Sequence, residues 1–187
     1  MIFTPVGLDG AFLIAQERRS DHRGFFARVW CAAEFAKAGL DTHIEQINTG
    51  FSPAAGTLRG MHLQVGEHAE VKVVRCTRGA AFDVMVDLRS DSPTFCQAYA
   101  TELTADNGLM LYVPKGFAHG YQTLVPDTEL QYSASTGYAG KSAHGVRFDD
   151  PRFKIRWPLP VSTISDQDRG WPDFGPGHPA FDPLRGR

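Results

Sequence analysis

The chain has 187 residues, 42% of them hydrophobic, with 19 basic side chains against 21 acidic ones. That supplies apolar material for one buried core, and it gives neither the composition of long disorder nor the basic field that nucleic acid demands. No stretch approaches the roughly 20 apolar residues of a membrane span, and the opening MIFTPVGLDG lacks the blocks of a signal peptide, so a single cytoplasmic domain with no nucleic-acid or membrane partner is expected.

In chain order, the first persuasive element is a short helix in CAAEFAKAG, rich in good helix formers and stopped at Gly39. After the turn-rich FSPAAGT comes RGMHLQ; as a strand it puts Gly60, His62 and Gln64 on one face and Arg59, Met61 and Leu63 on the other. VKVVRC sets Lys72 among Val74 and Cys76. AFDVMVDLR alternates Phe82, Val84, Val86 and Leu88 against Ala81, Asp83, Met85 and Asp87. QAYATEL and LMLYV alternate likewise. YVPKGFAHGYQ ends a strand at Val113, turns through Pro114 and Gly116, and delivers His119 to the start of the next strand. In TELQYSAS, Tyr132 aligns with Thr128, Leu130 and Ala134. The Pro/Gly-dense ending predicts a domain over 1–174 and a loop-like tail, mobile at its end, over 175–187. Cys31, Cys76 and Cys96 form an odd set without C-x-x-C spacing, which favours reduced, mostly buried thiols.

Many short strands bounded by Gly, Pro, Asp or Asn predict an antiparallel sandwich or barrel, whereas a doubly wound fold would need helices that are absent here. Lys72 on its own reads equally as a surface residue, and Tyr132 as a core tyrosine with a bonded hydroxyl. The combination points elsewhere. Several polar groups directed into one apolar barrel pocket are what small-molecule sites are made of.

The P-x-G-x-x-H pattern ending at His119 resembles the second motif of the cupin superfamily, a double-stranded β-helix. Metal-binding cupins carry H-x-H and a carboxylate in their first motif; here that place reads His62-Leu63-Gln64, and an amide is a poor replacement for imidazole. A metal-dependent cupin using His62, His119 and a nearby carboxylate stays open as an alternative, with Glu67 and His68 close by.

DHRGFF, EQINTGFSPAAGTLRGMHLQ, VKVVRCTRGAAFDVMVDLRSDSPTF, VPKGFAHGYQTL, LQYSASTGY, DDPRFKIRWP and ISDQD, in that order, resemble the dTDP-4-dehydrorhamnose 3,5-epimerase family, metal-free cupins of nucleotide-sugar metabolism. The resemblance implies an all-β jelly-roll barrel with short flanking helices, working as a homodimer whose N-terminal strands cross to the partner. It implies His62 as base, Tyr132 as the acid on the opposite face, Lys72 at the enolate oxygen, and Asp168 as the group orienting the base. Arg23, Phe26, Arg28, Gln46, Asn48, Arg59, His119 and Tyr138 are implied on the substrate, with no metal and no cofactor.

The residue types suit that chemistry. A hydrogen beside a ketone is weakly acidic, so its removal needs a positioned base such as imidazole; the enolate needs a cation in a dry cavity; and a neutral phenol returns a proton at pH 7. Three places depart from the family's usual charges: Arg28 and Ala143 stand where glutamates are common, and Gln167 where lysine is. These leave the nucleotide (dTDP, CDP or GDP) and the number of inverted centres open. A sugar-nucleotide binder without catalysis is the remaining rival.

Overall fold

In the computed structural model, residues 1–178 and 180–181 are described. Short antiparallel strands build nearly all of it: β1 (Ile2–Pro5), β2 (Phe12–Ala15), β3 (Arg19–Asp21), β4 (Gly24–Phe26), β5 (Gln46–Ser52), β6 (Leu58–Gln64), β7 (Lys72–Arg78), β8 (Ala80–Asp87), β9 (Ala98–Thr104), β10 (Met110–Val113), β11 (Phe117–Thr123), β12 (Thr128–Ala134) and β13 (Ala143–Gly145). One six-stranded sheet runs β1-β2-β10-β7-β12-β5 and one five-stranded sheet runs β13-β6-β11-β8-β9, with β3 and β4 paired as a separate hairpin. Two facing sheets with crossovers between them form a jelly roll, so the expected double-stranded β-helix is what the chain adopts.

The inner faces meet in a core of Val74, Leu111 and Leu130 from the first sheet against Ala81, Met85, Leu103 and Phe117 from the second. The alternation in β8 is buried on both sides. Ala81 and Met85 point into this core, while Val84, Val86 and Leu88 enter a second cluster behind the sheet with Met61, Leu63, Phe153 and Phe174. Of the segment expected to trail away as a tail, the described residues 175–178 and 180–181 form no helix or strand, as their Pro and Gly dictate, yet Ala180 and Phe181 pack into that second cluster. His178, Ala180 and Phe181 are buried, and the Phe174 ring lies 5.4 Å from the rings of both His178 and Phe181. The end expected to be mobile, 182–187, lies outside the described residues.

The helix read from CAAEFAKAG is α1 (Ala32–Lys37). It ends in a Schellman motif: Gly39 at φ +74 lets its N–H reach Ala36 O, and Leu40 N–H reaches Phe35 O at 2.9 Å. Phe35 is fully buried and meets Phe3 edge-on at 5.3 Å, closing the outer face of β2 and β10; burying such a ring contributes about 1.5–3 kcal/mol. A second helix of one turn, α2 (Asp166–Arg169), is positioned by the segment leading to it. The fully buried Gln122 amide bonds both Leu159 O (2.8 Å) and Leu159 N–H (3.0 Å), and Leu58 N–H reaches Thr163 O at 2.8 Å, so this segment is fixed along one edge of the barrel. Of the cysteines, Cys76 is buried and Cys31 and Cys96 are half-buried, all as free thiols. No helix among the described residues is long and apolar enough to cross a membrane.

Candidate active site

A cavity opens between the sheets in two lobes. The inner lobe, about 550 Å³, is lined by Arg59, His62, Lys72, His119, Tyr121, Tyr132 and Asp168 among others. The outer lobe, about 370 Å³, is lined by Gln46, Asn48, Gln64, Glu70, Tyr138 and Ala143 among others. His62, Lys72, Tyr132 and Gln167 border both.

His62 projects from β6 and is 45% exposed at its side chain, while its partner Asp168 is 6% exposed; Nε2 lies 2.6 Å from Asp168 Oδ1. Asp168 is held in turn: its Oδ2 accepts Gly60 N–H at 3.1 Å and its own N–H donates to Ser165 Oγ at 3.1 Å, the cap of α2. Burial alone would raise the Asp168 carboxyl, but the bond to His62, the imidazole's proximity and the Gly60 N–H outweigh it and leave it below the usual carboxylate range. An ionised carboxylate can only accept, so the ring proton sits on Nε2 and is donated to Asp168. Nδ1 is left with its lone pair free, the tautomer a base requires.

Strict alternation on β6 would send Arg59 to the side of Met61 and Leu63. The structure corrects this. His119 pairs with His62 and Tyr121 with Arg59, so β6 spends three steps where β11 spends two, and this bulge returns Arg59 to the cavity. Gly60 sits at φ +124 within the bulge, where a Cβ would lie 2.6 Å from Gly120 Cα. The Arg59 guanidinium donates to Phe51 O at 3.0 Å and Ser52 Oγ at 3.3 Å.

On the opposite wall, β7 and β12 are neighbours, with Ala134 beside Lys72 and Tyr132 beside Val74, so the ammonium and the phenol point into the cavity two residues apart. Lys72 is 8% exposed and pairs with Glu70 Oε1 at 2.9 Å. Burial, then the Glu70 charge, push the Tyr132 phenol above its ordinary value of 10.0 against an opposing pull from Arg59, so at neutral pH it carries its proton.

His119 is buried, and its Nε2 lies 2.9 Å from Oδ1 of the fully buried Asp83. Gln46 and Asn48 line the outer lobe, where Gln46 Oε1 accepts Tyr138 N–H at 3.1 Å. Tyr138 borders the same lobe and is 75% exposed.

Three expected substrate contacts are not gathered here within the single chain. Arg23 is bonded to Asp21 at 2.6 Å on the β3–β4 hairpin, Phe26 is 72% exposed on it, and Arg28 pairs with Glu34 at 2.5 Å; none lines either lobe. Sequence reasoning also missed three residues. Tyr121 lies two residues past His119, and the same period-two rule would have placed it in the inner lobe. Asp83 falls by alternation on the mixed face of β8 with Ala81, Met85 and Asp87, where an acid draws no attention; only the packing of the two sheets shows that this face is buried. Glu70 stands outside any strand and carries no periodic signal.

Among the described residues no three His, Cys, Asp or Glu side chains gather so as to hold a metal ion. His62 and His119 are each engaged by a carboxylate of their own, and the Gln64 amide faces backbone groups of the 137–139 loop. Glu67 and His68 lie in a separate turn, 3.7 Å apart, with Glu67 88% exposed.

A family model described as dTDP-4-dehydrorhamnose 3,5-epimerase matches residues 5–175. The dTDP-4-dehydrorhamnose 3,5-epimerase of Sinorhizobium fredii is 39% identical over 175 residues, 93% of this chain and 90% of the relative. The crystal structure of dTDP-4-dehydrorhamnose 3,5-epimerase from Elizabethkingia anophelis superposes with a TM-score of 0.90 at 37% identity, covering 93% of this chain and 96% of the other. A 3′-monoepimerase from Streptomyces bikiniensis in complex with dTDP-quinovose is also similar, with a TM-score of 0.84 at 32% identity over 91% of this chain and 86% of that one.

Proposed function

The chain belongs to the dTDP-4-dehydrorhamnose 3,5-epimerase family, and we propose that it inverts C3 and C5 of a dTDP-linked 4-keto-6-deoxyhexose, with His62 as base and Tyr132 as acid. One observation carries the division of labour: His62 stands on β6 of one sheet and Tyr132 on β12 of the other, on facing walls, and both border both lobes. A ring bound between them meets a base on one side and a proton donor on the other.

The Nδ1 lone pair of His62 takes the proton from the carbon beside the ketone, the C–H electrons form the C=C of an enolate, and the displaced carbonyl pair rests on oxygen. Lys72 offers that oxygen an ammonium that is itself buried, and a fixed charge held out of water is worth far more than one in solution. The enolate carbon then takes the Tyr132 proton on its other face, and the imidazolium and phenolate reset by proton exchange with water. Asp168 keeps His62 in the required tautomer throughout. The same ketone acidifies the carbons on both its sides, so one site can serve both centres in turn.

Arg59 supports a diphosphate grip at the inner lobe, and Gln46, Asn48 and Tyr138 support nucleotide recognition at the outer one. The exposed Phe25 and Phe26 of the hairpin and Ile47 and Phe51 of β5 support a homodimer in which the hairpin brings Arg23, Phe26 and Arg28 to the partner's cavity; light scattering should give twice the monomer mass, and a monomer at working concentration would sink that part.

The reaction is tested by incubating dTDP-, CDP- and GDP-linked 4-keto-6-deoxyhexoses in heavy water and following the sugar protons by NMR. Deuterium entering C3 and C5 of the dTDP compound is the expected result. Entry at one carbon alone would reduce the activity to a monoepimerase, and none with any nucleotide would leave a binder.

A further inference from the structure

Gln64 is 4% exposed, lies two residues beyond the base on the same strand, and has no part in the chemistry above. Its amide is fully engaged. Oε1 accepts Ala139 N–H at 2.6 Å, while Nε2 donates to Gly137 O at 3.2 Å and to Glu70 Oε2 at 3.3 Å. The orientation is not interchangeable: turned over, the NH2 would face an N–H, and the oxygen would face a carbonyl and a carboxylate. The residues it grips stand on either side of Tyr138, whose own N–H is held by Gln46. Three successive backbone positions of an irregular loop between β12 and β13 are thus fixed by side chains from β5 and β6, one from each sheet.

The ring these bonds steady is itself 75% exposed, so contacts of its own do little to hold it at the mouth of the outer lobe. Ordering a loop and its side chain on binding costs free energy; a loop already held in place binds more tightly by that amount. We propose that Gln64 is a positioning residue for nucleotide recognition: it clamps the 137–139 loop so that Tyr138 is pre-set against the nucleotide of the incoming substrate. This rests on the reading above in which Tyr138 meets the nucleotide. It also gives the place where metal-binding cupins carry a second imidazole a mechanical task.

The test is Gln64→Met, which keeps the length and apolar bulk and removes the amide. KM for the dTDP-sugar and Kd for dTDP alone should both rise about tenfold, the effect of losing one or two such bonds, with kcat within about threefold. A fall in kcat at unchanged KM and Kd, or no change in either, overturns the proposal. Tyr138→Ala should weaken dTDP to a similar extent, and in that background Gln64→Met should add less than about twofold; full additivity would show that Gln64 acts by another route and overturns it too. If Tyr138→Ala leaves dTDP affinity unchanged, the nucleotide contact fails first and the proposal with it. Should Gln64→Met not fold, Gln64→Glu combined with Glu70→Gln keeps the acceptor for Ala139 and loses the bond to Gly137; compared with Glu70→Gln alone it should raise Kd about threefold, and an unchanged Kd would again overturn the clamp.

Discussion

The two lobes of the cavity share His62, Lys72, Tyr132 and Gln167 but are built by different means. The inner lobe sets Arg59, His62, His119, Lys72 and Tyr132 on paired strands, β6 and β11 on one side and β7 and β12 on the other, and the 163–168 segment, bonded to β6, closes its edge with Asp168. The outer lobe takes Tyr138, Glu70, Ala143 and His144 from loops and the short edge strand β13. Chemistry needs donors and acceptors held within fractions of an ångström, which a sheet supplies. Recognition of a long flexible substrate tolerates loops, provided they are held before binding. Substitutions of the reacting groups His62, Lys72, Tyr132 and Asp168 should therefore act on kcat, and those of Gln46, Asn48, Gln64 and Tyr138 in the outer lobe on KM.

The sharpest way to break that division is at the base. His62→Ala should lower deuterium exchange at both carbons by about 10²–10⁴-fold, the usual worth of a positioned proton-transfer group, with dTDP affinity nearly unchanged. Asp168→Asn should cost kcat less, about 10–100-fold, because the imidazole is still present but its tautomer and orientation are no longer imposed. Tyr132→Phe should leave exchange measurable while net inversion falls, since the proton can still be removed from one face and returned to it. Isotope wash-in compared with product formation separates the three, and a variant whose main effect is on KM would move its residue from the inner group to the outer.

The same division decides what could be read without coordinates. Period-two alternation in VKVVRC and TELQYSAS aligned Lys72 with Val74 and Cys76, and Tyr132 with Leu130 and Ala134, and the structure turns both rows inward, because regular strands transmit a sequence pattern directly to a face. Alternation alone still left Lys72 readable as a surface residue and Tyr132 as a core one. It failed at Arg59, where one extra residue in β6 reverses the side, and a bulge is set by the partner strand rather than by the hexapeptide itself. Asp168 was reachable only through resemblance: 106 residues separate it from His62, and their meeting depends on Gln122 and Leu58 holding the incoming segment. The fate of the last aromatic residues was hidden for a similar reason, since Pro and Gly forbid strands without forbidding burial of Phe174 and Phe181. Glu70, in a loop, left no periodic trace at all.

Glu70 therefore offers the smallest and most specific test, because it links the lobes. Its carboxylate holds Lys72 at 2.9 Å and receives the Gln64 amide at 3.3 Å. After burial, its charge is the second influence raising the Tyr132 phenol above 10.0, and Arg59 opposes it. Tyr132 works in its protonated form, so inversion persists as pH rises until the phenol's raised value is passed and fails beyond it. Glu70→Gln removes the negative charge and frees the Lys72 ammonium, and both changes favour the phenolate, so the alkaline limb of the inversion rate should move to lower pH while the limb for wash-in, which does not need the Tyr132 proton, stays in place. A limb that stays or moves upward would mean that burial alone governs the phenol and that the outer lobe exerts no electrostatic hold on the inner one.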